Sequence, residues 1–250
     1  MCIRDRLYTV RDALAEDFAG VVRKIASIGY VGVEPAVDHL GATPEEAGRL
    51  FEDLGLAVPS AHAPLPLGER KNEVLDTMAA LGCECIVSGR GPDDFATMDR
   101  IERTCDLFNA ANGVAAEAGL TFGIHNHWWE FQQVEGQYVY RVMLERLDPD
   151  VFFEIDTYWV KTAGPDPAEV VRTLGTRVPL LHIKDGPANR QEPMQPIGSG
   201  VLDWPAIVQA GGSHTEWLIV ELDRCATDMT EAVQQSYDYL VGEGLARGNR

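Results

Sequence analysis

Short apolar runs alternate with helix-patterned stretches along the whole of this chain, and no Pro/Gly/Ser-rich linker or charge block divides them. The clearest runs, residues 30–35, 57–63, 84–88, 121–127, 151–157, 179–184 and 217–222, are brief and rich in Val, Ile, Leu or Phe. Parallel strands covered on both faces have that composition. Between them, residues 12–28 set Ala13, Phe18, Val21, Val22 and Ile25 on one helical face and end at Gly29. Thr43-Pro44-Glu45-Glu46 supplies an N-cap, a proline at the first helical position and a capping-box glutamate. Residues 98–118 form a long helix stopped by Gly119, and further helices fit at 69–81, 138–147, 167–174, 204–209 and 230–242.

Strict strand–helix alternation predicts a parallel sheet, and eight such units in 250 residues suit closure into one (β/α)₈ TIM barrel spanning residues 1–250. An open doubly wound sheet would carry a phosphate-binding G-x-G-x-x-G after its first strand. That motif is missing, and Gly198-Ser199-Gly200 falls in a late loop. The first strand is then expected at residues 6–10, short and polar. Residues 1–6 do not resemble a barrel strand, so strand one is either abbreviated or preceded by residues foreign to the fold.

Asp and Glu number 39 against 21 Lys and Arg, a net charge of −18. Such a surface repels phosphate backbones and anionic lipid, so neither nucleic acid nor membrane is an expected partner. The five cysteines are odd in number and lack a C-x-x-C pair, which fits reduced thiols. No apolar run is long enough to span a bilayer, and the first residues lack a signal-peptide core. A cytoplasmic location is the expectation.

The polar residues fall at the ends of the predicted strands: Glu34, His62, His125 with His127, Asp156, His182 with Lys184, and Glu221 with Asp223. A parallel barrel collects functional groups at that rim. Singly, each has a structural explanation, such as a hydrogen-bonded histidine or a capping aspartate. Together they form a ring of imidazoles and carboxylates, the donor set of a hard or borderline divalent ion. Without a cation the converging carboxylates would repel one another strongly.

These motifs resemble the sugar phosphate isomerase/epimerase family of xylose isomerase-like TIM barrels. The resemblance spans residues 7–240. It is carried by Gly32-Val33-Glu34, Ser60-Ala61-His62, His125-Asn126-His127-Trp128-Trp129-Glu130-Phe131, Glu154-Ile155-Asp156, Leu181-His182-Ile183-Lys184-Asp185-Gly186 and Val220-Glu221. It implies one divalent ion, Mn²⁺ or alternatively Mg²⁺, Co²⁺ or Zn²⁺, held by Asp156, His182, Glu221 and a ligand from strand five. Related ketose epimerases place a glutamate where this chain has His125. Glu130, reaching back from the loop, is the expected fourth ligand, with His125 as the alternative. Glu221 takes one proton-transfer position, and a histidine, His127 or His125, or else Glu130 takes the other; Lys184, on the same face as His182, is a further expected catalytic residue. Glu34, His62, Trp128, Trp159 and Asp185 are expected to contact a sugar or polyol substrate, with Glu34 and His62 alternatively supporting the metal ligands from behind. The implied reaction is isomerisation or epimerisation through an enediolate; the alternative is β-elimination or hydration by a lyase or dehydratase acting on keto-sugars such as 3-keto-glycosides. Barrels of this kind often pair, so a homo-oligomer is a further expectation.

Overall fold

The computed structural model describes residues 1–249 and contains eight parallel strands in one sheet. They are β1 (Cys2–Arg6), β2 (Gly32–Glu34), β3 (Ala61–His62), β4 (Cys85–Ser88), β5 (Thr121–His125), β6 (Phe152–Asp156), β7 (Leu180–Ile183) and β8 (Trp217–Val220). The order β2-β1-β8-β7-β6-β5-β4-β3 makes chain neighbours barrel neighbours. The remaining seam, between β2 and β3, is bridged at Gly32 with Ala57 and Ala36 with His62, and Val33 N–H donates to Ala57 O at 2.9 Å. The result is a nearly closed TIM barrel.

Its helices are α1 (Arg11–Ile28), α2 (Pro44–Asp53), α3 (Lys71–Leu81), α4 (Met98–Glu117), α5 (Val139–Arg146), α6 (Thr157–Ala163), α7 (Pro167–Leu174), α8 (Trp204–Gly211) and α9 (Met229–Gly242). The predicted capping box at Thr43 and Glu46 is present. Outward-facing strand residues such as Phe122, Ile155, Leu181 and Leu218 join the helices in the main core. Inside the barrel, Val87, Leu180 and Ile219 form a separate apolar plug against Phe152 and Trp217. Gly123 is required there, because a Cβ would lie 2.2 Å from the Phe152 ring. Above this plug the inward positions turn polar, and the site begins.

The first strand corrects the sequence expectation. Residues Leu7–Val10 form a 3₁₀ turn, and the strand is Cys2–Arg6, paired with β8 and β2. Its inward residues Arg4 and Arg6 reach Glu34 and Glu221, so charged side chains sit where a pattern search demands apolar ones. Asp5, on the other face, is fully buried with neither carboxylate oxygen hydrogen-bonded. Helix α6 was also not anticipated: it starts at once after β6, with Asp156 as its N-cap. Among the described residues no helix is long and apolar enough to cross a membrane.

Candidate active site

Side chains two residues apart on a strand share a face, so each strand can send two groups into the barrel at different heights. In the lower layer, Glu34 Oε1 lies 2.7 Å from His182 Nε2, and Glu154 Oε2 lies 3.1 Å from the same nitrogen. Glu154 also meets His62 Nε2. Arg6 donates to His62 Nδ1 at 2.7 Å, so that nitrogen is the acceptor and Nε2 carries the proton toward Glu154. In the upper layer, His182 Nδ1 stands 2.8 Å from Glu221 Oε2. Lys184 Nζ lies 3.1 Å from Asp156 Oδ2, 2.9 Å from Glu221 Oε2 and 2.9 Å from Asp223 Oδ2. His125, at the end of β5, has Nε2 4.0 Å from Asp156 Oδ2.

Local structure aims these groups. As N-cap of α6, Asp156 accepts Trp159 N–H on Oδ1 at 3.0 Å, which turns Oδ2 to the mouth. Asn126 ties β5 to β6 by accepting Asp156 N–H at 2.9 Å and donating to Asp156 O. Above the cluster lies a cleft of about 390 Å³ lined by Arg6, Tyr8, His62, Arg90, His125, His127, Trp129, Lys184, Glu221 and Asp223.

Three expectations change. Glu130 does not join the cluster: Oε2 accepts the His127 N–H at 2.8 Å, because the 3₁₀ turn Trp129–Phe131 curls its carboxylate back onto its own loop. His125, not Glu130, is the strand-five residue that groups with Asp156, His182 and Glu221. Asp185 points away from the mouth, since it alternates with Lys184, and its carboxylate accepts Gly186 N–H, Gly198 N–H, Leu202 N–H and Trp204 Nε1–H. It pins a loop and has no oxygen left for substrate. Trp128 and Trp159 pack on each other at 5.1 Å, with Arg190 over one and Lys184 over the other. The tryptophan lining the cleft is Trp129, stacked on His127 at 4.1 Å. Glu34 and His62 are at the site, but Glu34 is sealed beneath His182.

Glu154 and Arg6 were missed as site residues. Glu154 had a signal, the same-face spacing to Asp156; Arg6 had none once the first strand was placed too late.

A family profile for xylose isomerase-like TIM barrels matches residues 22–240. The chain belongs to the xylose isomerase-like TIM-barrel family. Among solved structures, a sugar phosphate isomerase/epimerase from Parabacteroides distasonis is similar at TM-score 0.83 and 25% identity, covering 98% of this chain and 95% of that one. A probable 3-DHS dehydratase, AsbF, from Bacillus anthracis follows at TM-score 0.79 and 14% identity, covering 96% and 99%. The IOLI protein with a bound zinc atom gives TM-score 0.74 and 15% identity, covering 97% of each chain. The last two likenesses show the shared fold alone. No curated protein sequence matches.

In this xylose isomerase-like barrel, the upper layer suits a divalent ion. Ligand atoms of His125, Asp156, His182 and Glu221 lie within 4.8 Å of one another. Asp156 Oδ2, His182 Nδ1 and Glu221 Oε2 are buried with no partner in hydrogen-bond geometry. Lys184 and His182 supply the positive charge beside these oxygens, and the same oxygen and nitrogen donors fit a divalent ion. A second group, His62, His125, Glu154 and His182, shares two members. There Glu154 Oε2 is hydrogen-bonded to His62 and lies 3.1 Å from His182.

The chain's own cations balance the carboxylates of this cluster. Burial opposes ionisation of Glu221, but Arg6, Lys184 and His182 outweigh it and hold the carboxyl well below its ordinary pKa. Burial, with Glu221 alongside, raises Asp156 despite Lys184. Burial and the neighbouring imidazoles push His125 well below its ordinary value even with Glu154 close by, so its ring is neutral, as a ligand must be. Burial would lower His182 as well, but Glu154, Glu34 and Glu221 raise it well above.

Proposed function

We propose that this barrel is a divalent-metal-dependent isomerase or epimerase of an unphosphorylated sugar, keto-sugar or related polyol, with Mn²⁺ the preferred ion. One observation carries the reading: ligand atoms of His125, Asp156, His182 and Glu221 converge within 4.8 Å of one another beneath a cleft large enough for a small ligand. The ligand set is His125, Asp156, His182 and Glu221. A divalent ion bound by these residues would supply Lewis acidity toward a substrate carbonyl. Glu221, kept ionised by Arg6 and Lys184, accepts the proton of the adjacent C–H as general base. His127 enters from the β5 side, three strands away around the mouth, and exchanges a proton with the other face of the substrate. Lys184 supplies a fixed positive charge for the developing oxyanion. The Trp129 face offers a platform for sugar C–H groups.

A second reading, β-elimination from a keto-sugar, is favoured by one departure. Related epimerases carry a carboxylate where His125 stands, and a neutral imidazole there leaves Glu221 without a matching carboxylate base. His127 would then protonate the leaving group. Incubating Mn²⁺-loaded protein with D-fructose, D-tagatose and 3-keto-D-glucose in D₂O, followed by mass spectrometry, tests both readings. Metal-dependent deuterium uptake at carbon supports isomerisation, and a product lighter by one water supports elimination. Neither outcome on any keto-sugar, with metal content verified, defeats the proposal.

A further inference from the structure

Glu130 is almost fully buried at the cleft edge, and only half of its carboxylate has a partner. Oε2 accepts the His127 backbone N–H at 2.8 Å. Oε1 is buried with no hydrogen bond, and so is His127 Nδ1, 3.9 Å from it. Two complementary orphans this close, on residues three apart, are a hydrogen bond waiting for a shift of about 1 Å, given the roughly 2.9 Å of a formed N–H···O contact. Trp129 stacks on the imidazole with an interplanar angle of 14°, so the ring can slide in its own plane toward Glu130 but not tip out of it. The side chain is 32% exposed. With Nδ1 buried, that exposure belongs to the rest of the side chain, and His127 lines the cleft.

We infer that Glu130 is a positioning residue that sets the tautomer of His127. Its Oε1 accepts a proton-bearing Nδ1 and leaves the Nε2 lone pair directed at the substrate. A neutral imidazole has one donor and one acceptor nitrogen, and the partner of one decides the role of the other. The inference rests on the isomerase reading for its consequence, since an Nε2 lone pair is what a general base at the cleft needs. It does not rest on that reading for its geometry. The backbone bond to His127 N–H gives the carboxylate a second duty, holding the loop that carries the imidazole.

Two measurements test this. In Zn²⁺-loaded protein with ¹⁵N-labelled histidine, long-range proton–nitrogen spectra at about pH 8.5, above the ordinary imidazole range, report the His127 tautomer directly. Nδ1–H is expected in the wild type, and Nε2–H there overturns the assignment. In Glu130→Gln the amide can keep the backbone contact through its oxygen while offering N–H to Nδ1, which reverses the tautomer without unmaking the turn. On whichever of D-fructose, D-tagatose or 3-keto-D-glucose the wild type enolises, kcat should fall roughly 10- to 100-fold with KM unchanged. An unaltered kcat, or a rise in KM alone, overturns it. If the wild type enolises none of these, the isomerase reading fails and the tautomer spectrum of the wild type still decides the pairing.

Discussion

Replacing Lys184 by methionine separates the two cations that this site can use. The ammonium lies 2.9–3.1 Å from oxygens of Asp156, Glu221 and Asp223, and the side chain is 2% exposed. At about 3 Å and an effective dielectric constant near 20, each contact is worth roughly 5 kcal/mol of Coulomb attraction, most of it offset by desolvation. Removing one partner of such a buried pair costs about 3–5 kcal/mol, because the carboxylates stay buried and unpaired. In a chain of this size each kcal/mol moves the melting midpoint by about 2–4 °C. The metal-free variant should therefore melt about 6–20 °C below the wild type. A divalent ion on Asp156 and Glu221 restores the lost positive charge, so saturating Mn²⁺ should recover most of the deficit and give the variant the larger metal-induced shift. Differential scanning fluorimetry of EDTA-treated and Mn²⁺-loaded samples measures both numbers. An equal deficit with and without metal would show that ammonium and ion do not share carboxylates, and the account of the site would fall.

Metal-free stability should also depend on pH through His182, whose folded pKa is raised by Glu154, Glu34 and Glu221 against the effect of burial. A raised pKa contributes stability that is complete below about 6.5 and is lost as pH climbs through the folded value. Melting points of EDTA-treated protein should thus fall above neutral pH. Those of metal-loaded protein should fall less, because His182 has already given up that proton to bind. His125→Ala should weaken Zn²⁺ binding about 10- to 100-fold by calorimetry while Glu130→Gln leaves it unchanged, a split that assigns the strand-five ligand. Glu221→Gln should lower turnover by about 10²- to 10⁴-fold with an unaltered circular dichroism spectrum. Asp5→Leu, which removes a buried carboxyl with no partner, should stabilise the protein by about 1–3 kcal/mol in urea unfolding.

The chemistry of the upper layer reshapes the expectation of simple carboxylate repulsion. Lys184, Arg6 and protonated His182 neutralise Asp156, Glu221 and the lower glutamates without any ion. A metal therefore competes with built-in cations. Asp223, 2.9 Å from Lys184 Nζ and on the cleft side, is the carboxylate to which the ammonium would turn if an ion took its place.

Local patterning in the sequence determined the barrel. Strand runs, helix periodicity and the Thr43 cap each depend on neighbours within a few residues, and apart from the first strand and α6 these elements formed close to where expected. It also determined Asp156, His182 and Glu221 as a set, because same-face polar residues at strand ends are a one-dimensional signal. Tertiary structure alone decided the first strand, where Arg4 and Arg6 are buried by pairing with Glu34 and Glu221, residues far away in sequence. It alone kept Glu130 out of the cluster and brought His125 into it, since a carboxylate on a 3₁₀ turn can reach either the cluster or its own backbone, and only the curl of that turn selects. Asp185, Trp128 and Trp159 illustrate the same limit. Their residue types suit a sugar site, but which way a side chain points after a strand ends is fixed by the loop it must hold together.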